Sequence, residues 1–219
     1  MCTLEEFHGL RSLIHVYGGP GGWRRRPMQM LIDPAYNIAN PAIAQRLKAL
    51  TTKGWQIGLH PSSASWENAE IMIKEKKTVE AALGRPVSAC RQHWLKFGWQ
   101  KTWKTQQAAG LLSDATLGFN DRPGFRNGAA LTFQPWDFEA AELMPVKATP
   151  LVLMDSHLYD YGQFSPASRA AEIHRWIEEI QSVYGSTSVL WHPHTLGKDY
   201  GWRGGFETLL AEIAQSPTP

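Results

Sequence analysis

Five short apolar runs along this chain each give way to a single ionisable side chain, and that pattern constrains the fold more than any other feature. Leu59 passes to His60, Cys90 to Arg91, Leu112-Ser113 to Asp114, Met154 to Asp155, and Trp191 to His192. The apolar runs cover Ser12 to Tyr17, Trp55 to Leu59, Val87 to Cys90, Leu111 to Leu112, Leu151 to Met154 and Ser188 to Trp191. Their length and their β-branched and aromatic content read as buried strands. Between them lie stretches with helical spacing. Asn40-Pro41 reads as N-cap and first helical residue, with Ile43, Leu47 and Leu50 on one face and Gly54 closing the run. Ser65 or Asn68 caps a second helix, which carries Ile71, Ile73 and Val79 and stops at Gly84-Arg85-Pro86. A third runs from about Thr102 to Ala109. A fourth starts at Ser165-Pro166 and repeats Ile173, Trp176, Ile177, Ile180 and Tyr184, and a last one carries Phe206, Leu209, Leu210 and Ile213.

Strand and helix mostly alternate, which predicts an α/β fold with a parallel sheet. The stretch from Ala115 to Thr149 breaks the rhythm and reads as an insertion of turns with a hairpin. In α/β folds the C-terminal ends of the strands form the ligand-binding face. Two histidines, two aspartates and an arginine are therefore expected along one rim.

The chain of 219 residues is read as a single domain, residues 1–219, because no low-complexity linker divides it. A domain of that size buries about 70% of the surface its unfolded chain exposes. A net charge of +2, with scattered lysines and arginines, argues against an electrostatic nucleic-acid binder. Arg24-Arg25-Arg26 is the one basic cluster and reads as a solvated loop. Cys2 and Cys90 cannot form a disulfide framework or a cysteine zinc site by themselves. The N-terminus lacks the regions of a signal peptide, and no run approaches the ~18 apolar residues of a membrane span. With Met1 as the start, these features predict a cytoplasmic protein. Ten tryptophans fill a core or present faces that stack on sugars or nucleobases.

No Gly-rich phosphate loop or Gly-x-Ser-x-Gly elbow occurs, so the rim points to metal-assisted or general acid–base hydrolysis. A metal site needs about three protein ligands. His60 alone, before Pro61, reads as a turn histidine as readily as a ligand. His192 and His194 have the best local metal spacing, which leaves open an unrelated metal-dependent amidohydrolase that uses both. Asp33-Pro34, Asp155 and His157 read as caps or turns.

Five segments, in order, say more. GLHPS at 58–62, RQHWL at 91–95, DATLGF at 114–119, GFRNG at 124–128 and LWHPH at 190–194 resemble the polysaccharide deacetylase family, the NodB-homology group or carbohydrate esterase family 4. The resemblance is to a divergent bacterial branch and runs from about Leu10 to Ile213. It implies a distorted (β/α)7 barrel that hydrolyses an acetyl group on a carbohydrate with the help of a divalent metal, zinc by ligand type. On that resemblance His60 is a metal ligand, and Arg91 orients the catalytic aspartate. Asp114 falls near the motif that helps form the groove, and His192 is the general acid.

The departures bear on activity. Ala64 stands where the family has its second metal histidine, and His93 stands where the family has a proline. On an extended segment His93 shares a face with Arg91 and is the candidate to supply the missing imidazole. The family's first motif, a strand ending in paired aspartates, is absent, so the chain reads as lacking that N-terminal strand and the aspartate base. The alternative expectation is an inactive glycan-binding pseudoenzyme, with Trp66, Trp94, Trp99 and Trp191 around a metal-free cleft.

Overall fold

The computed structural model describes residues 1–22, 27–162 and 164–215. The basic cluster Arg24 to Arg26 lies outside the described residues. In chain order the elements are α1 (Cys2–Phe7), β1 (Leu13–Tyr17), α2 (Pro27–Ile32), α3 (Pro41–Thr52), β2 (Gln56–His60), α4 (Ala69–Leu83) and β3 (Ala89–Cys90). They continue with α5 (Thr102–Ala108), β4 (Ser113–Asp114), β5 (Trp136–Asp137), β6 (Glu142–Leu143), β7 (Lys147–Ala148) and β8 (Leu151–Met154). The last are α6 (Asp155–Tyr159), α7 (Pro166–Ser182), β9 (Ser188–Leu190) and α8 (Arg203–Gln215). Single 3-10 turns follow β3 at His93–Leu95 and β9 at Pro193–Leu196.

Contacts divide the chain into two compact units, one of residues 13–116 and 133–148, the other of residues 1–12, 117–132 and 149–219. The first holds a five-stranded sheet in the order β1-β2-β3-β4-β7, with every pairing parallel. Helices α3, α4 and α5 connect its successive strands. Asn40 caps α3 by accepting from Ala42 N, with Pro41 behind it, and the helix buries Leu47 and Leu50. Of the two expected caps for α4, Asn68 is used: its side chain accepts from Ile71 N, and Met72, Glu75, Val79 and Leu83 face inward. Leu59, Cys90 and Leu111 meet these helix faces in one core.

The second unit pairs β8 with β9 in parallel. Ser165 caps α7 by accepting from Ser168 N, and Ile173 and Ile177 enter a core with Val152, Leu153, Trp191, Phe206 and Leu209. The expected helical stripe overshoots by one member. The helix ends at Ser182, and Tyr184 takes a positive φ of 50° while Gly185 N returns to Ile180 O, which leaves Tyr184 exposed.

Two further differences have local causes. The apolar pair Leu111-Leu112 is not itself the fourth strand. Leu111 N closes α5 on Gln106 O, and pairing of Ala89 with Ser113 and of Cys90 with Asp114 shifts the strand to Ser113–Asp114. The insertion contains the expected hairpin, β5 with β6, and also β7, which joins the sheet beside β4. Lys147-Ala148 has no apolar run to announce it, because β7 is held by backbone pairing. No helix among the described residues is long and apolar enough to cross a membrane.

Gly58 in β2 pairs with His15 in β1, and a Cβ at Gly58 would come 2.8 Å from His15 Cδ2 and 3.1 Å from the Ala89 carbonyl oxygen. Gly58→Ala is therefore expected to lower stability by about 1–3 kcal/mol through overpacking, read as a lower urea midpoint with an unchanged m-value. An unchanged midpoint would show that the His15 ring moves aside freely.

Candidate functional site

Each unit gathers ionisable side chains at its strand ends. In the sheet of five strands, Leu59 pairs with Cys90, so His60 and Arg91 follow side by side. His60 Nδ1 donates to the Arg91 carbonyl at 2.8 Å. His93, in the turn after β3, places its Nδ1 2.8 Å from His60 Nε2, and its own Nε2 donates to the Ile32 carbonyl at 2.5 Å. Carbonyl oxygens only accept, so both outer nitrogens carry protons and each neutral ring keeps its lone pair on the inner nitrogen. Two lone pairs facing each other at that distance call for a proton or a cation between them. An outer N–H held by a carbonyl is also how metal-holding imidazoles are commonly oriented. The Asp33 carboxylate, 3.8 Å from His93 Nε2, brings negative charge to the pair.

The loop after His60 is held by two buried carboxylates. Ser62 N donates to Glu75 Oε2 at 2.8 Å, and Ser63 N donates to Asp33 Oδ1 at 3.0 Å. Burial pushes Glu75 above the usual carboxylate range, against the opposing Ser62 hydrogen bonds, and the Asp33 charge pushes the same way as burial. The turn after β3 is strained: Trp94 and Leu95 have successive positive φ values of 58° and 48°. Such geometry in bulky residues costs about 1–3 kcal/mol each. It leaves Trp94 66% exposed beside the His93 ring.

His15 lies on the same sheet face as His60, since it pairs with Gly58 and strand side chains alternate. Its Nε2 is sealed from solvent without a hydrogen-bond partner. Burial, then the charge of Arg91, then that of His60, hold its pKa well below the ordinary 6.5. Arg91 itself is buried and donates from Nε to the Ala115 carbonyl at 2.9 Å. Burial lowers its pKa to about 10, with Asp114 opposing. Asp114 is fully buried and accepts from Trp103 Nε1 at 3.1 Å, Gln106 Nε2 at 2.7 Å and Thr116 Oγ1. Burial raises its pKa against those three donors. A carboxylate enclosed in this way ties β4 to α5.

In the other unit, Asp155 ends the run of β8 and is fully buried. Its Oδ1 accepts from His192 Nδ1 at 2.8 Å and from Ser156 N at 2.9 Å. Its Oδ2 accepts from His192 N at 2.8 Å and Thr195 Oγ1 at 3.2 Å. The carboxylate fixes the tautomer and orientation of an imidazole that is 42% exposed, leaving Nε2 as the nitrogen available to a substrate. His194 places its ring 5.6 Å from that of His192. His157 acts as a cap: its Nδ1 accepts from Met154 N at 3.1 Å, and its Nε2 donates to the Phe119 carbonyl.

The structure thus brings His60 and His93 together beside Arg91, encloses Asp114, and joins His192 to Asp155. Among the described residues, no group of three or more His, Cys, Asp or Glu side chains is placed to hold a metal ion. The inner nitrogens of His60 and His93 stand 2.8 Å apart, closer than the ~3.3 Å between two nitrogens on one tetrahedral zinc, so a shared ion requires the two rings to part by about half an ångström. Trp191 is buried in the core and presents no face for stacking, whereas Trp94 and Trp99 are exposed. Sequence reasoning counted Asp155 among the strand-end residues of the rim but read its role, like that of Asp33, as a cap or turn, and did not single out His15. The signal for Asp155 was present, since it and His192 both follow apolar runs whose strands turn out to be neighbours.

No family model matches the sequence, and no curated protein does. Solved structures with a similar fold include one described as "putative polysaccharide deacetylase from Mycobacterium smegmatis", with a TM-score of 0.64 and 15% identity. The match covers 97% of this chain and 68% of that one. At that identity the likeness is one of fold.

The state of His15 makes stability depend on pH. The unfolded chain takes a proton there near 6.5, while the folded chain stays neutral until well below it. Across that window the unfolded state binds more protons, so stability falls as pH drops below about 6.5, by up to ~1.4 kcal/mol per pH unit. Urea titrations at pH 7.5 and 5.5 are expected to show a smaller loss in His15→Gln than in the parent. The depressed His157 and the raised Glu75 and Asp114 are common to both proteins, so the difference between profiles isolates His15.

Proposed function

We propose that this chain is a deacetylase-like hydrolase acting on acetylated carbohydrate, with Asp155 and His192 as its acid–base pair. The observation that carries the reading is the buried Asp155 carboxylate aligning a half-exposed imidazole at a strand end, on a fold like that of a polysaccharide deacetylase. The distorted (β/α)7 barrel of that family belongs to the same proposal.

His192 acts from Nε2. In its protonated form it gives that proton to the leaving nitrogen or oxygen as water adds to the acetyl carbon and the bond to the leaving atom breaks, giving acetate; the proton the water sheds restores His192. Asp155 accepts from Nδ1 and keeps Nε2 pointed outward. The His192 backbone N–H holds the second carboxylate oxygen, and the Thr195 hydroxyl lies beside it, shared between that oxygen at 3.2 Å and the His192 carbonyl at 2.7 Å. Contributions of 10²–10⁴ in rate are typical of such a positioned acid. Arg91, whose carbonyl receives His60 Nδ1, positions that imidazole through its backbone.

His60 and His93 are the proposed holders of a divalent ion, zinc by ligand type. Such an ion, when bound, polarises an acetyl carbonyl and lowers the pKa of a water molecule. The residues' own part is to present two lone pairs whose direction is set by the Arg91 and Ile32 carbonyls.

Acetate release from N-acetylated chito-oligosaccharides and from acetylated xylan, with zinc supplied, tests the reading. His192→Ala is expected to lower kcat by about 10²–10⁴, with Asp155→Asn also impaired and its folding checked by circular dichroism. No acetate release by the parent protein, or full activity in His192→Ala, overturns it. The ion is tested separately by calorimetric zinc titration. His60→Ala and His93→Ala are each expected to weaken binding by about tenfold or more, and equal affinity in all three proteins removes these ligands.

A further inference from the structure

We infer that the exposed rings of His194 and Tyr200, with Trp202 behind them, form a platform that seats a pyranose ring of a glycan next to the bond His192 acts on. The inference rests on the carbohydrate reading above and names a part of the substrate site that it leaves open. The rings form a continuous series from the acid–base pair outward. His194 lies 5.6 Å from His192, Tyr200 5.2 Å from His194, and Trp202 5.3 Å from Tyr200. Tyr200 stands nearly perpendicular to both neighbours, at 80° and 89°, and is stacked on neither. It is 47% exposed, a large apolar ring left at the surface. Trp202 is stacked on Tyr159 at 4.6 Å, and the Arg169 guanidinium lies 4.2 Å from the Tyr159 ring centre, so the base of the series is rigidly packed.

The platform is tied to the acid–base pair by the residue that steadies Asp155. Thr195 gives its hydroxyl to Asp155 Oδ2, and its carbonyl accepts from Trp202 N at 3.2 Å. Gly201, with a φ of 72°, makes the turn between the two aromatic residues, and its N–H closes the loop on the Gly197 carbonyl. The rings are therefore held at a fixed offset from His192 by backbone hydrogen bonds. A site with that property serves positioning of a bound chain, since a misplacement of the reacting group costs rate.

The surroundings favour a neutral polyol. Lys198 and Asp199, of opposite sign, are exposed on the same loop and offer donors and acceptors without a net charge. A sugar ring presents an apolar C–H face for the tyrosine and hydroxyls for these flanking groups. A nucleic acid would call for a cationic surface.

Calorimetric titration with chitohexaose tests the platform, using the parent protein, Tyr200→Ala, Tyr200→Phe and His194→Ala, each checked for folding by circular dichroism. Tyr200→Ala is expected to bind about three- to tenfold more weakly, the range a lost ring contact gives. Tyr200→Phe, which keeps the face, is expected to bind like the parent. Equal binding by a folded Tyr200→Ala, with His194→Ala also unchanged, overturns the platform whatever the acetate assay gives. So does the absence of chitohexaose binding by the parent, or Tyr200-dependent binding of adenosine monophosphate in its place. Tyr200-dependent binding of chitohexaose without acetate release supports the platform and removes only the hydrolase reading.

Discussion

Parallel strand register is the constraint on which the rest of this structure depends. Because Leu59 pairs with Cys90 and Cys90 with Asp114, the residues that follow those strands emerge at matched heights. His60 then finds the Arg91 carbonyl within hydrogen-bond reach, and the turn after β3 brings His93 to the other side of the same ring. The β8–β9 pair works in the same way. Met154 pairs with Leu190, which sets Asp155 and His192 one and two steps beyond the paired positions. A shift of one residue in either register would turn these side chains to the opposite face. The backbone thus decides which ionisable groups meet.

Buried charge has to be met at the strand ends of each unit, and the cases here are met by donors. Asp155 accepts from two backbone N–H groups, an imidazole and a hydroxyl, so its desolvation is offset without any lysine or arginine. Asp114 is met by an indole, an amide and a hydroxyl. Removing one partner of a buried charge costs more than the interaction itself contributes, about 3–5 kcal/mol, because the charge remains. Glu75 and Asp33 use the same physics for the backbone of the loop after His60, where an unmet buried N–H would cost about 1–3 kcal/mol. The half-exposed imidazole of His192 owes its fixed direction to the enclosed Asp155 carboxylate.

Most of the architecture was legible because it follows from periodicity and punctuation. Asn40-Pro41, Ser165-Pro166 and the apolar runs at 55–59, 151–154 and 188–191 act locally, and local signals survive in a single sequence. What could not be read depends on which strands become neighbours. Asp155 looks like any helix cap until β8 lies beside β9 and His192 arrives at its carboxylate. β7 is held by backbone bonds that no side-chain pattern records. Trp94 and Leu95 take left-handed backbone geometry that their side chains disfavour, and tertiary packing alone imposes it. The strand ends themselves were readable; the pairings made within each unit were not.

At 15% identity to a solved structure, few side chains are shared, yet the fold remains similar. That is expected if the backbone framework fixes positions while the chemistry at each can come from more than one place. The position four after His60, where the resemblance assigns an imidazole, holds Ala64. The partner ring of His60 is supplied by His93, on the turn after the neighbouring strand. Two chain segments converge there, His60 from the end of β2 and His93 from the turn after β3. The turn that carries His93 continues through Trp94 and Leu95, both at positive φ.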